Sequence, residues 1–372
     1  MEISHKYMFC HIKEKTGASD SEWSDWHWQL ANSITDLDRL SELLGTELSD
    51  GIRQKVAERF PLQVTPFYLS LAKTIGGNDP VLMQCLPQEG ELMDCHGSAD
   101  PFHEQDASPV PRLVHRYHDR TLFIASGCCA VHCRHCMRKR VWDEIIPAPT
   151  DAELAACVAY LDGHPEVREV LISGGDPLTL EDDDVARVLS AFASVKSIEM
   201  LRIGSRTLVA LPQRYTDRLC SILGDIGKAI WIAAHFNHPN ELSAEAGEAV
   251  LRLMAHGVPV VNQTVLLKGI NDDADTLAAL FTGLLRLRIK PYYLFHGDPV
   301  SGTTCFRTGI AKGVELMAEL RGRISGMALP AFAIDLPEGG GKVRLEPDSC
   351  LGESPDGNPV YRKHDGSPVE YR

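Results

Sequence analysis

The sequence predicts an α/β fold: a partial (β/α)6 barrel with an N-terminal helical region and a short C-terminal extension. Three observations predict it. From about residue 120, short β-rich runs alternate with longer helical runs; the stretch before them lacks that alternation; and the last residues are polar and rich in Gly, Pro and Asp. Repeated β-α units imply a parallel sheet with right-handed crossovers. Six units are too few for an eight-stranded barrel, so an open or partial barrel fits better, with its chemistry at the C-terminal strand ends.

Residues 1–115 read as mainly helical. SEWSDWHWQLANSI offers Ser and Asp caps before aromatics and Leu at helical spacing, DLDRLSELLG ends at Gly45, and GIRQKVAERF stops at Pro61. A polar, Pro-rich connector follows at about 97–114. The barrel segment, 116–310, holds six candidate strands at 121–126, 167–173, 198–204, 229–236, 258–267 and 291–296, with helix-like stretches such as DAELAACVAYL and SAEAGEAVLRLMAHG between them. The remaining 311–372 reads as a C-terminal segment whose tail, from about 346, is a short hairpin or an arm.

Composition narrows the function. A formal charge of −14 repels phosphate backbones and disfavours nucleic-acid binding. No run of about 18 apolar residues appears, so no membrane span is expected. The opening MEISHKYMFCHIKEK has no apolar core and does not read as a secretory signal, so a cytoplasmic protein is expected. The 11 cysteines are an odd number in a long chain, a poor basis for a disulfide framework. Four of them, Cys128, Cys129, Cys133 and Cys136, crowd together, which points to metal; the others are scattered, as small buried hydrophobes are.

Cys129-Ala-Val-His-Cys133-Arg-His-Cys136 follows directly on a candidate strand. Three thiolates at this spacing can wrap one iron–sulfur cube and leave one iron open to a small molecule. Zinc is the alternative, with His132 or His135 as a fourth ligand. Cys128 lies outside the pattern and reads as a strand-end cysteine.

CxxxCxxC after the first strand resembles the radical S-adenosylmethionine (AdoMet) signature. HRYHDR (115–120), GCCAVHCRHCMRKR (127–140), ISGGDPL (172–178), RIGSR (202–206), HFNHP (235–239), NQTVLLKGIND (262–272), GDPVSGTTCFRT (297–308) and AIDLPEGGGK (333–342) occur in order. Together they resemble the lysine 2,3-aminomutase family. The resemblance implies a [4Fe-4S] cluster on Cys129, Cys133 and Cys136, with AdoMet on its open iron. It implies that Ser173, Gly174, Gly175 and Asp176 hold the AdoMet amine, and that Arg202 and His235 lie near AdoMet. Pyridoxal 5'-phosphate (PLP) would be joined by Lys342 and held by Arg116, Tyr117, Arg120 and Gln263. Arg138 would grip the substrate carboxylate, a task suited to a planar guanidinium. Asp298 and Asp335 would share the distal ammonium of a cationic substrate.

The implied reaction moves the α-amino group of L-lysine to the β-carbon. Arginine or another amino acid, a radical racemase or epimerase, the lysine-shifting enzyme of elongation factor P, and a non-catalytic zinc scaffold are the alternatives. The implied partners are the amino acid, an electron donor of flavodoxin or ferredoxin type, and further copies of the chain in a homo-oligomer. Some features depart from the family. Glu338 interrupts the glycine run before Lys342; Asp273 stands where a zinc-binding cysteine is expected; and the tail has only Cys350, so the family's structural zinc site is expected to be absent. Taken alone, GGGKV fails the Walker pattern at Val343 and is otherwise a phosphate-binding nest or a plain turn.

Overall fold

A computed structural model describes residues 5–371 apart from 49, 76–77, 95–96, 143, 337–339, 347–348, 357 and 364–366. The glycine-run departure at Glu338 lies outside the described residues. The N-terminal region forms short helices with the expected ends. Asp25 caps Trp26–Ala31 by accepting from His27 N, and Gly45 ends Leu37–Leu44 at φ 65°. That left-handed φ costs glycine no Cβ clash. Leu37, Leu40, Leu43 and Leu44 fall on one side of that helix and are buried.

The main sheet runs through nine strands in sequence order: β1 (Leu113–Tyr117), β2 (Arg120–Ser126), β3 (Glu169–Gly174), β4 (Met200–Ser205), β5 (Ala229–Ala234), β6 (Val260–Leu266), β7 (Lys290–His296), β8 (Ala331–Leu336) and β9 (Gly341–Arg344). Strands β2 to β8 are parallel. The outermost two, β1 and β9, pair antiparallel at the edges. Helices cross between successive parallel strands, and four of them start at a side-chain cap, Thr150, Thr216, Ser243 or Asp273, each accepting from a backbone N–H. Six crossovers link seven parallel strands, so the expected six β-α units are present, and β8 completes the series. In the sequence β8 falls inside the C-terminal segment, because AFAIDL runs straight into the glycine-rich stretch.

Near the C-terminus, β10 (Cys350–Glu353), β11 (Pro359–Arg362) and β12 (Pro368–Glu370) form a separate antiparallel sheet, so the tail is a three-stranded meander. Among the described residues, no helix is long and apolar enough to cross a membrane.

The helix Ile310–Arg321 packs on β8 through Gly313, where an added Cβ would lie 2.1 Å from the Phe332 ring. Phe332 is 1 % exposed and has no room to retreat. Gly313→Ala should therefore lower stability by about 1–3 kcal/mol despite alanine's better helix propensity. Urea unfolding of the two proteins would measure it.

Candidate active site

The cysteine loop leaves β2 and is held by chain segments far away in sequence. Thr65 N donates to Ala130 O at 3.1 Å, His132 N to Gln63 O at 2.8 Å, and Arg134 N to Gln84 O at 2.8 Å. The Arg134 side chain is fully buried. It donates to Glu91 and to the Phe60 and Pro61 carbonyls. Lys139 adds a second cation on Glu91 at 2.6 Å. Burial pulls the Lys139 ammonium down to about 8, against the pull of Glu91.

On the other side stands the β3 loop. Gly175 N donates to Ser126 O at 2.6 Å, and Asp176 N to Cys128 O at 2.7 Å. A Cβ on Gly175 would sit 2.5 Å from Cys128 O, so the two backbones touch as only glycine allows. The Asp176 carboxylate accepts from Leu178 N, Ser205 Oγ and Arg206 N. It is committed to fastening the loop of β3 to that of β4. Ser173 and Gly174 end β3 beside it.

Cys129, Cys133 and Cys136 all lie in the loop and are partly buried. Burial, with the Cys133 charge adding to it, pushes the Cys136 thiol up to about 11. Thiols so placed are held as thiolates by a cationic centre. A cube binds each thiolate to a separate iron and leaves one iron open, so three thiolates from one loop suffice, whereas a structural zinc takes four protein ligands. His132 is also occupied: Nδ1 meets Pro61 O at 3.0 Å and the ring stacks on Trp142. His135 faces His235 instead, Nε2 to Nε2 at 3.1 Å, with Asn237 Nδ2 beside both. Burial holds both imidazoles well below the usual histidine range. The donor set fits a cluster better than zinc.

A second group gathers around β8 and β9. Lys342 is in register with Asp335, and its Nζ lies 2.7 Å from Asp335 Oδ2. Tyr117 reaches Asp335 Oδ1 at 3.4 Å, and Lys342 Nζ lies 5.6 Å from the Tyr117 ring centre. Arg120 stacks over Tyr117 at 3.9 Å. Arg116 lies over Phe102, and its buried Nη2 has no partner. An orphaned buried guanidinium N–H fits an anionic group such as a phosphate. Gln263 lies on β6, paired with Tyr293.

Asp298 follows β7. Burial, with the Asp335 charge adding to it, pushes its carboxyl up to about 7. The two predicted substrate carboxylates therefore stand within reach of each other's charge. Arg138 is buried and donates twice to Glu104, at 3.0 and 2.6 Å. Glu104 also receives Arg140 at 2.8 Å. Burial raises the Glu104 carboxyl, but Arg138 and Arg140 outweigh it and hold it at about 2.

Not every predicted residue joins these groups. Arg202 sits back along β4 and pairs with Glu169 on β3. The arginine that reaches the cysteine loop is Arg206, whose Nη1 lies 2.7 Å from Cys133 Sγ. The signal for it was present: Arg206, not Arg202, stands just past the strand end. Glu104 was missed because a lone Glu in a polar connector carries no pattern. Asp273, the departure from a zinc ligand, accepts from Thr276 N as a helix cap.

Comparison with known proteins follows the same lines. The family described as "Lysine-2,3-aminomutase" matches residues 317–372, and "4Fe-4S single cluster domain" matches 118–219. A "Putative L-lysine 2,3-aminomutase" of Aquifex aeolicus is 44 % identical over 88 % of this chain and 89 % of its own. The "L-lysine 2,3-aminomutase" of Methanococcus maripaludis is 38 % identical over 100 % of this chain and 86 % of its own. The "Glutamate 2,3-aminomutase" of Clostridioides difficile is 37 % identical over 91 % and 80 %.

Gly175→Ala should cut the iron and sulfide bound after anaerobic reconstitution several-fold, because the carbonyl it strikes is backbone and has nowhere to go. Metal and sulfide analysis would check it. The raised Asp298 gives a second prediction. Its folded value, about 7, exceeds the ordinary 3.8, so the stability it permits is full below 3.8 and is lost as pH rises through 7. Asp298→Asn should raise the melting temperature of the cofactor-free protein at pH 8, and by much less at pH 5.

Proposed function

The chain belongs to the lysine 2,3-aminomutase family, and on that premise we propose that it is an isomerase moving the α-amino group of a cationic amino acid, L-lysine first, to the β-carbon. The observation that supports the substrate reading is that the buried Asp298 lies within reach of the charge of Asp335, which itself meets Lys342. Two carboxylates near one cation are favourable in a partly dry site. They repel an anionic side chain, which separates this pocket from one for glutamate. Arginine is the rival that the same charges admit.

When bound, a [4Fe-4S] cluster with AdoMet supplies a carbon radical, and PLP supplies a π-system that spreads the unpaired electron. The residues of the chain supply placement. Cys129, Cys133 and Cys136 would hold the cluster. With Asp176 committed to the backbone, the carbonyls of the Ser173–Gly175 loop would accept from the AdoMet ammonium. Arg116, Tyr117, Arg120 and Gln263 would surround PLP, with the orphaned N–H of Arg116 on its phosphate. Arg138, held in orientation by Glu104, would present its remaining N–H groups to the substrate carboxylate.

Asp335 serves twice in this reading. Its Oδ2 lies 2.7 Å from Lys342 Nζ. With Lys342 joined to PLP, that carboxylate would be available to the distal ammonium of the substrate. A soluble reducing compartment, an electron donor of flavodoxin or ferredoxin type, and assembly as a homo-oligomer complete the proposal.

The test is anaerobic reconstitution with iron and sulfide, then AdoMet, PLP and dithionite with L-lysine, L-arginine, L-glutamate or L-alanine. Chromatography coupled to mass spectrometry should find β-lysine, separated from its isomer lysine. Lys342→Ala should abolish both the product and the PLP absorbance. Asp298→Asn should lower kcat/KM for lysine about 30-fold or more, the loss of ~2 kcal/mol typical of a broken buried charge pair. A β-amino product from glutamate but not lysine would overturn the cation pocket. AdoMet cleavage with no amino migration would overturn the aminomutase reading.

A further inference from the structure

The reading above gives no task to Arg206, a heavily bonded side chain beside the cysteine loop. Its Nη1 donates to Cys133 Sγ at 2.7 Å, and its Nη2 to Gln84 Oε1 at 2.7 Å, Glu241 Oε1 at 2.8 Å and Tyr68 Oη at 3.0 Å. Its backbone N–H is held by Asp176 at 2.6 Å. The residue is 7 % exposed, and its enclosed Nε has no partner. A guanidinium serving only as a counter-ion for Glu241 would turn both forks to the carboxylate. Here the fork is divided, one nitrogen on the anion and one on sulfur, with Nε left unsatisfied to keep it so.

We infer that Arg206 is a positioning residue for the iron–sulfur cluster, donating to the Cys133 sulfur and thereby making the cluster easier to reduce. The inference rests on the cluster reading of the cysteine loop. Accepting an electron makes the cluster and its thiolates more negative, and an N–H donor on a ligand sulfur stabilises that state. Burial strengthens the effect, because little water screens it. Tyr68, Gln84 and Glu241 come from three separate segments and keep the guanidinium from turning away from the sulfur.

The measurement is a redox titration of the reconstituted protein with mediators, followed by the electron paramagnetic resonance of the reduced cluster. Arg206→Gln alone would strand the buried Glu241 charge. The variant of choice is therefore Arg206→Gln with Glu241→Gln. It should bind as much iron and sulfide as the wild type. At one fixed donor potential its reduced fraction should be about tenfold smaller relative to the oxidised form, a shift of about 59 mV to the negative for one electron. An unchanged potential with the cluster loaded overturns the inference. If the double variant fails to fold or load, Arg206→Lys decides, since it keeps the charge and loses the fork. A more negative potential than wild type then supports the inference and an unchanged one overturns it. Wild-type protein that takes up no iron and sulfide would sink the cluster reading itself.

Discussion

Two backbone hydrogen bonds govern the site: Gly175 N to Ser126 O and Asp176 N to Cys128 O. They bring the loop of β3 against the start of the cysteine loop at a separation that admits no Cβ. From that contact the Asp176 carboxylate reaches on to Ser205 Oγ and Arg206 N, so three consecutive strand ends are fastened together. Arg206 then delivers its guanidinium to Cys133. Remove the close approach and the cysteines, the β3 loop and Arg206 lose their common frame.

Charge is organised around this frame in two different ways. Beneath the cysteine loop, Glu91 is shared by Arg134 and Lys139, all three deeply buried. Such a group specifies one arrangement more than it adds stability. Around β8 and β9 the charges are less tightly paired. Asp298 feels the charge of Asp335 as well as the cations Lys342, Arg307 and Arg138, and burial with Asp335 leaves its carboxyl raised.

Much of this was legible in the sequence, for identifiable reasons. Strands β2 to β7 announce themselves by β-rich runs between amphipathic helices, and the cysteines by spacing. The carboxylates Asp298 and Asp335 and the lysine Lys342 were found through motif order, which survives changes of individual residues. Strand β8 escaped because its sequence runs straight into the glycine-rich stretch before Lys342. Glu104 and Arg206 escaped for a different reason. Their importance lies in what they touch, across 34 residues to Arg138 and 73 to Cys133, and no local pattern records such a partner. Arg202 drew attention as the first arginine of RIGSR, yet two residues of strand rise separate neighbouring positions on one face by about 7 Å, and the partner of Arg202 is Glu169.

The holders of the cysteine loop span residues 60 to 241: Phe60, Gln63, Thr65, Gln84 and Glu91 before it, Asp176, Arg206 and Glu241 after it. A ribosome makes the chain from the N-terminus at roughly 5–20 residues per second. The cysteines are therefore in being for several seconds before the last of their supports has been made. The frame that fixes the three sulfurs relative to one another is thus a late product of the chain, complete only after its middle third has been made and docked.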